Sequence, residues 1–275
     1  MRIATKAESA LLMRYFYAIN FAKEKAVSLA KTDKACEVKM KSDSTLVTGL
    51  DEEISRSFVH SITKHPLFSQ DEIISEERKN QFNQQAEHLW IIDPIDGTAN
   101  FANQRVSFAL SIGYWQNHEP TFGLIVQTGT KGLSLLTAFR GQGVSINGQP
   151  TAISPSAPVR MMGGIDLKNS ARDPLVDIFP RLYGYAGEMR IPGSIVCGLA
   201  DVALGRLSFY VHSGPRIWDV AAALVFLRET GRVTNLDNID PVEAAKKDFK
   251  LPLMIAAQDQ AMLKEVSGIV QKTRI

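Results

Sequence analysis

One stretch constrains this chain more than any other: the apolar run Leu89-Trp90-Ile91-Ile92 leads directly into Asp93-Pro94-Ile95-Asp96-Gly97-Thr98. A short run rich in β-branched and aromatic residues reads as a strand buried on both faces. Proline and then glycine mark the turn that ends it. The strand therefore brings two carboxylates, three positions apart, to the edge of a sheet, and Gly97 lets the backbone approach another group closely. Carboxylates that close repel each other and stay ionised together only beside a cation. Mg²⁺, a hard ion that takes oxygen ligands and keeps several waters, suits such a place. The plainer alternative has Asp93 capping a helix and Asp96 bonding the turn backbone. Further carboxylates favour the cation: Glu76-Glu77 follows the β-like pair Ile73-Ile74, and Asp219 opens a later apolar helix.

Periodicity supplies the frame around that strand. Leu11, Leu12, Tyr15, Ala18, Ile19, Ala22 and Ala26 recur at spacings of three and four, which predicts a helix over residues 8–29. Residues 51–64 repeat the pattern and stop before Pro66, setting Asp51 near a helix start. Strands are expected at 108–115 and 121–127, with 131–138 and 143–146 continuing an antiparallel meander, and Asn147-Gly148 is a strong turn signal. Residues 152–160, with two prolines, are the most linker-like. They divide the chain into an N-terminal α+β portion, 1–152, carrying most of the candidate ligands, and a C-terminal α/β portion, 153–275, completing the site. Beyond the linker, helices are expected at 194–204 and 218–230 around a strand at 207–211, with Gly231 ending the second helix.

Composition excludes several functions. The 275 residues can bury a sizeable core, and 31 basic against 29 acidic residues leave a net charge of +2, too balanced for holding a nucleic acid polymer through its phosphates. The two cysteines, Cys36 and Cys197, have no metal-ligand spacing and fit a reducing compartment. Arg14, Asn20 and Lys23 interrupt the N-terminal apolar stretch, so it does not read as a secretory leader, and no uncharged run is long enough to span a bilayer. A cytoplasmic protein without a membrane partner is expected.

Three separated motifs resemble the inositol monophosphatase family, the lithium-sensitive, magnesium-dependent phosphatases, and the resemblance runs along nearly the whole chain. Trp90-Ile-Ile-Asp-Pro-Ile-Asp-Gly-Thr-Ala-Asn-Phe101 is similar to the family's main signature, Ser75-Glu-Glu77 to its Gly-Glu-Glu element, and Ile217-Trp-Asp-Val-Ala-Ala222 to its C-terminal motif. Leu46-Val-Thr-Gly-Leu-Asp51 resembles a fourth, weaker element. As an ordered set they are far more specific than any one alone.

The resemblance implies an α/β (α+β) fold, a layered α-β-α-β-α sandwich of the sugar-phosphatase type, commonly a homodimer. It implies a phosphoric monoester hydrolase that uses two or three Mg²⁺ ions. Glu76 and Asp93, with the backbone carbonyl of Ile95, would hold the first ion; Asp93, Asp96 and Asp219 would hold the second. Asp51 and Thr98 match the pair that orients the attacking water, with Glu76 as a proton acceptor, and Glu77 lies outside the ligand set. Asp96, Gly97, Thr98, Gly193, Ser194 and His212 match substrate positions, and free amides at the start of a helix opening at Gly97-Thr98 would receive phosphate.

Two departures from the family pattern stand out here, the first of which bears on the substrate. Inositol-specific members carry a glutamate where this chain has His212 or Ser213, which weakens the case for inositol itself. A lone histidine at a strand end is more often packed or solvated than ligand-binding, and Arg216 reads as a solvated loop arginine. Ser75 stands in place of the first glycine of Gly-Glu-Glu, which an ordinary β conformation tolerates. The expected substrate is a small phosphorylated polyol or sugar. The alternatives are a nucleotide 3′-phosphate, a fructose bisphosphate or histidinol phosphate on the same fold, and, from another class, a non-catalytic regulator that has lost turnover.

Overall fold

The computed structural model describes residues 6–31, 38–40, 46–78, 82–103, 106–129, 132–153, 161–167 and 173–272. The chain starts with a long helix, α1 (Lys6–Lys31), followed by an antiparallel pair, β1 (Val38–Met40) and β2 (Leu46–Thr48), and by α2 (Gly49–Lys64). Ala18, Phe21, Ala22 and Leu29 of α1 and Ile54, Phe58 and Ile62 of α2 are buried, giving each helix the apolar face its spacing predicts. Burying each of the larger of these side chains contributes roughly 1.5–3 kcal/mol. At the start of α2 the Thr48 hydroxyl and the Asp51 carboxylate form a capping box.

Next come β3 (Glu72–Ser75), β4 (His88–Asp96), the short α3 (Thr98–Asn103), β5 (Ala109–Gln116), β6 (Glu119–Gly129), β7 (Gly132–Phe139), β8 (Gly143–Ile146) and β9 (Gln149–Pro150). The seven strands lie in sequence order in one sheet, β3 parallel to β4 and the others an antiparallel meander. Asn147 and Gly148 make the β8–β9 turn with φ of 52° and 79°, as their sequence predicts. Trp90, Ile92, Ile112 and Tyr114 face α1 and α2, while Leu89, Ile91, Ile125 and Leu136 face the other way. Both faces are therefore covered, which is why this meander is so apolar.

The second half contains β10 (Gly163–Asp166), α4 (Leu175–Ala186), β11 (Met189–Arg190), α5 (Ile195–Ala203), β12 (Phe209–His212), α6 (Ile217–Val220), α7 (Ala223–Glu229), β13 (Val233–Thr234), α8 (Pro241–Ala245), β14 (Met254–Ala257) and α9 (Gln260–Gln271). Its sheet has the order β11-β10-β12-β14-β13, with β10 parallel to both neighbours. Helices α5, α6 and α7 pack between the two sheets, and α4 and α9 cover the outer face of the second. The layers are thus α1/α2, seven-stranded sheet, α5/α6/α7, five-stranded sheet, α4/α9, the α-β-α-β-α sandwich. The first sheet ends at Pro150 and the second begins at Gly163; of the linker between them, residues 154–160 lie outside the described set, as does Cys36.

Two local expectations need correction. The single helix expected over 218–230 is broken into α6 and α7 at Ala221-Ala222. There the backbone is pressed onto β5 and β6: a Cβ on Gly113 would lie 2.9 Å from Ala221, and one on Gly123 would lie 2.5 Å from the Ala222 carbonyl. The Ala221 carbonyl is diverted to the Trp115 indole N–H at 3.2 Å. The central strand, for its part, does not stop at Asp93. It continues to Asp96 with its register against β5 shifted between the two aspartates.

Candidate metal centre

Parallel pairing aligns the ends of β3 and β4. Ser75 is the register partner of Ile92, and the Glu76 N–H donates to the Ile92 carbonyl at 3.3 Å, which sets Glu76 beside the residue that follows, Asp93. The register shift past Asp93 brings Asp96 back to the same edge. Gly97 then turns the chain with φ +82°, where any Cβ would meet the Gly193 and Ser107 carbonyl oxygens and Ser194 Cβ, all at 3.0 Å. Helix α3 follows at Thr98, whose hydroxyl donates to the Ile95 carbonyl at 2.9 Å.

Asp219 arrives from the other half as the third residue of α6, its Oδ2 accepting the Arg216 N–H at 2.6 Å. Each of Asp93, Asp96 and Asp219 offers a ligand oxygen, and those three atoms lie within 4.8 Å of one another. Asp93 is 1% exposed, and its Oδ1 is buried with no hydrogen-bond partner. Burial, then the charges of Glu76, Asp96, Asp219 and Asp51, push Asp93 well above the usual carboxylate range. Burial, then the charges of Asp96 and Glu76, do the same to Asp219. Burial raises Asp96 to about 7 against the hydrogen bonds of Ser194 and Val196. Carboxylates packed together out of water, one oxygen of them without a hydrogen bond, are the donor chemistry of a hard divalent cation.

The sequence model of the inositol monophosphatase family matches residues 9–272. The chain belongs to the inositol monophosphatase family. Among its relatives, the fructose-1,6-bisphosphatase/inositol-1-monophosphatase of Thermotoga maritima is 30% identical over 204 residues, 74% of this chain and 76% of that protein. The Nus factor SuhB of Escherichia coli is 28% identical over 209 residues, 74% of this chain and 77% of that one. The structure of an IMPase/NADP phosphatase complexed with Mg²⁺ and phosphate matches with a TM-score of 0.79 over 95% of each chain, at 22% identity, a likeness of fold. The chain thus has the phosphatase fold of the inositol monophosphatase family. No helix among the described residues is long and apolar enough to cross a membrane.

The remaining expected site residues divide into those the structure brings to the cluster and those it does not. Asp51 is fully buried, its Oδ2 accepting the Thr48 N–H at 2.8 Å and the Thr48 hydroxyl, and its charge is felt at Asp93. Ser194 donates its hydroxyl to Asp96 Oδ2, which also accepts the Val196 N–H at 2.7 Å. Gly193, at φ +70°, precedes it. His212 is buried at the end of β12, where its Nδ1 accepts the Gly214 N–H at 3.3 Å. Arg216 is not the solvated arginine expected: its guanidinium is bonded to Asp248 at 2.6 Å and lies over Trp218, and its charge is felt at Asp219.

Several residues escaped the sequence reading. Asp166 is buried at the end of β10, and burial, against hydrogen bonds from Tyr210, Gly193 and Ser194, raises it to about 6. Its signal was present in miniature: a short apolar strand, Gly163-Gly164-Ile165, ending on a carboxylate. Thr48 could have been found from its place three residues before Asp51, the spacing of a capping box. Ser55 gave no signal, because its partner Ser75 comes from a different element.

Proposed function

We propose that this chain is a magnesium-dependent phosphomonoesterase that hydrolyses a small phosphorylated polyol or sugar. The observation that carries the reading is Asp93 Oδ1, buried and unbonded among carboxylates whose ligand atoms lie within 4.8 Å. Without a cation the arrangement is repulsive, and an all-oxygen donor set selects a hard ion. Glu76, Asp93, Asp96 and Asp219 would hold Mg²⁺, with the Ile95 carbonyl as a further donor that has a second lone pair beyond the one taken by Thr98. When bound, Mg²⁺ supplies positive charge for the phosphoryl oxygens and lowers the pKa of a water.

The chain's own groups do the rest. Thr98 spends its proton on the Ile95 carbonyl, so its oxygen is free to accept from a water. Asp51, anchored at one oxygen by Thr48, is the second acceptor, and the two orient the attacking water while Glu76 takes its proton. The amides opening α3 at Gly97 and Thr98 receive phosphate. Gly193, Ser194 and His212 line the side toward the alcohol being released, and Asp96 reaches both metal and substrate. Two or three ions, lithium inhibition, a homodimer and a cytoplasmic location complete the proposal, with family membership in support.

The test is inorganic phosphate release from a panel of inositol, sugar, polyol, bisphosphate, nucleotide 3′-phosphate and histidinol phosphate substrates, with and without Mg²⁺. Metal-dependent release, fastest on a polyol or sugar monophosphate, is expected; folded protein that releases phosphate from none of them contradicts the reading. A second reading, a regulator without turnover, draws support from the likeness to Nus factor SuhB. It requires that same blank panel together with intact Mg²⁺ binding.

A further inference from the structure

Asp166 and His212 are register partners at the ends of the parallel strands β10 and β12. Ile165 and Val211, one residue earlier, point into the outer core under α4 and α9, so Asp166 points the opposite way, into the layer of α5. A carboxylate is costly in that layer unless its oxygens are satisfied. They are: Oδ1 accepts the Gly193 N–H at 2.7 Å, Oδ2 accepts the Tyr210 hydroxyl at 2.7 Å, and the carboxylate also accepts the Ser194 N–H.

The two amides belong to the turn that controls Asp96. Its other side is tied to the first half of the chain, where Asn100 and Ser107 donate to the Pro192 carbonyl at 2.8 and 2.7 Å. Immediately after Gly193, the Ser194 hydroxyl donates to Asp96 Oδ2 and accepts the Cys197 N–H at 3.1 Å, and the Val196 N–H donates to the same Asp96 oxygen. Carbonyl anchoring alone leaves the peptide planes after Pro192 free to rotate; the Asp166 carboxylate fixes them.

We propose that Asp166 is a positioning residue of the metal centre: by holding the Gly193 and Ser194 amides it fixes the turn whose Ser194 hydroxyl and Val196 N–H aim the Asp96 carboxylate at Asp93 and Asp219. The inference rests on the reading of that cluster as a metal site. Asp166 lies outside the Asp93, Asp96 and Asp219 cluster, and its charge is felt at Asp96. It acts through one hydrogen-bonded relay, the kind of supporting contact whose loss typically costs 10–100-fold in metal affinity.

The experiment titrates Mg²⁺ calorimetrically into the metal-stripped full chain and follows amide hydrogen exchange in the same samples, alongside kcat and KM for phosphate release. Asp166→Ala is expected to weaken Mg²⁺ binding about 10–100-fold, to lower kcat more than it raises KM, and to speed exchange at Gly193, Ser194 and Val196. Asp166→Asn can still accept from Gly193 while donating to the Tyr210 oxygen, so it is expected to restore Mg²⁺ affinity to within about threefold of wild type. A folded Asp166→Ala protein that binds Mg²⁺ as wild type does overturns the inference. If that variant does not fold, Ser194→Ala removes the same contact to Asp96 without touching Asp166; wild-type Mg²⁺ affinity there overturns it equally. A wild-type chain that binds no Mg²⁺ removes the metal-site reading itself, a different failure from a wild type that binds and an alanine variant that binds as well.

Discussion

The buried hydroxyls of Ser55 and Ser75 lie 2.7 Å apart, joining α2 to the last residue of β3. Ser55 is one helical turn after Asp51, and Ser75 directly precedes Glu76, so this contact sets the spacing between two acids of the candidate site. Removing either hydroxyl takes this hydrogen bond from the other, at about 0.5–1.5 kcal/mol. Ser55→Ala and Ser75→Ala are each expected to lose stability in that range by chemical denaturation, and the double variant to lose clearly less than their sum. Additivity within about 0.5 kcal/mol would mean that the two are not coupled.

The acids set a pH dependence for the metal-free protein. Asp96 keeps its proton to about 7 when folded, but only to about 4 as an ordinary aspartate. Between those values the native state binds more protons than the unfolded one, so this contribution to stability falls as pH rises. Asp93 and Asp219, raised in the same direction, add to it. A Mg²⁺ ion held by these carboxylates would have to displace those protons. Its stabilisation, read as the shift in melting temperature over a chelated control, is therefore expected to grow from pH 5.5 to pH 8, with proton release detected by calorimetry in two buffers. A shift that is flat or shrinks with pH contradicts the coupling.

Asp93→Asn separates folding from metal binding. Removing one charge from the buried cluster relieves repulsion, so the metal-free variant is expected to melt no lower than wild type, while Mg²⁺ affinity and phosphate release each fall by more than about 100-fold. Asp219→Ala should likewise remain folded and lose most activity. Wild-type turnover in either would remove that residue from the site.

Gly123 tests how Asp219 is held. A Cβ there would sit 2.5 Å from the Ala222 carbonyl, forcing the α6–α7 junction off the sheet at about 1–3 kcal/mol. Gly123→Ala is expected to melt lower and also to need more Mg²⁺ for half-maximal activity, because α6 carries Asp219. A lower melting point with unchanged metal activation would show that the junction moves without the ligand.

What the sequence revealed follows how local each cause is. The helices at 8–29 and 51–64, the meander and the Asn147-Gly148 turn come from periodicity and turn chemistry within a few residues, and the structure has all of them. Asp93 and Asp96 could be read because the strand that carries them is itself a motif. The break at Ala221-Ala222 could not, since it is imposed by Gly113 and Gly123 about a hundred positions away, and the local pattern is an uninterrupted apolar helix. Asp166 and Ser55 stayed hidden for the same reason: their partners, Gly193 and Ser75, meet them only after the sheets are formed.

The most direct measurement is a crystal of the chain soaked in Mn²⁺, a Mg²⁺ surrogate with an anomalous signal. The account predicts an anomalous peak within coordination distance of carboxylate oxygens from Asp93, Asp96 and Asp219. A fully occupied soak with no peak among those three residues, from protein that releases phosphate in Mg²⁺, would contradict it.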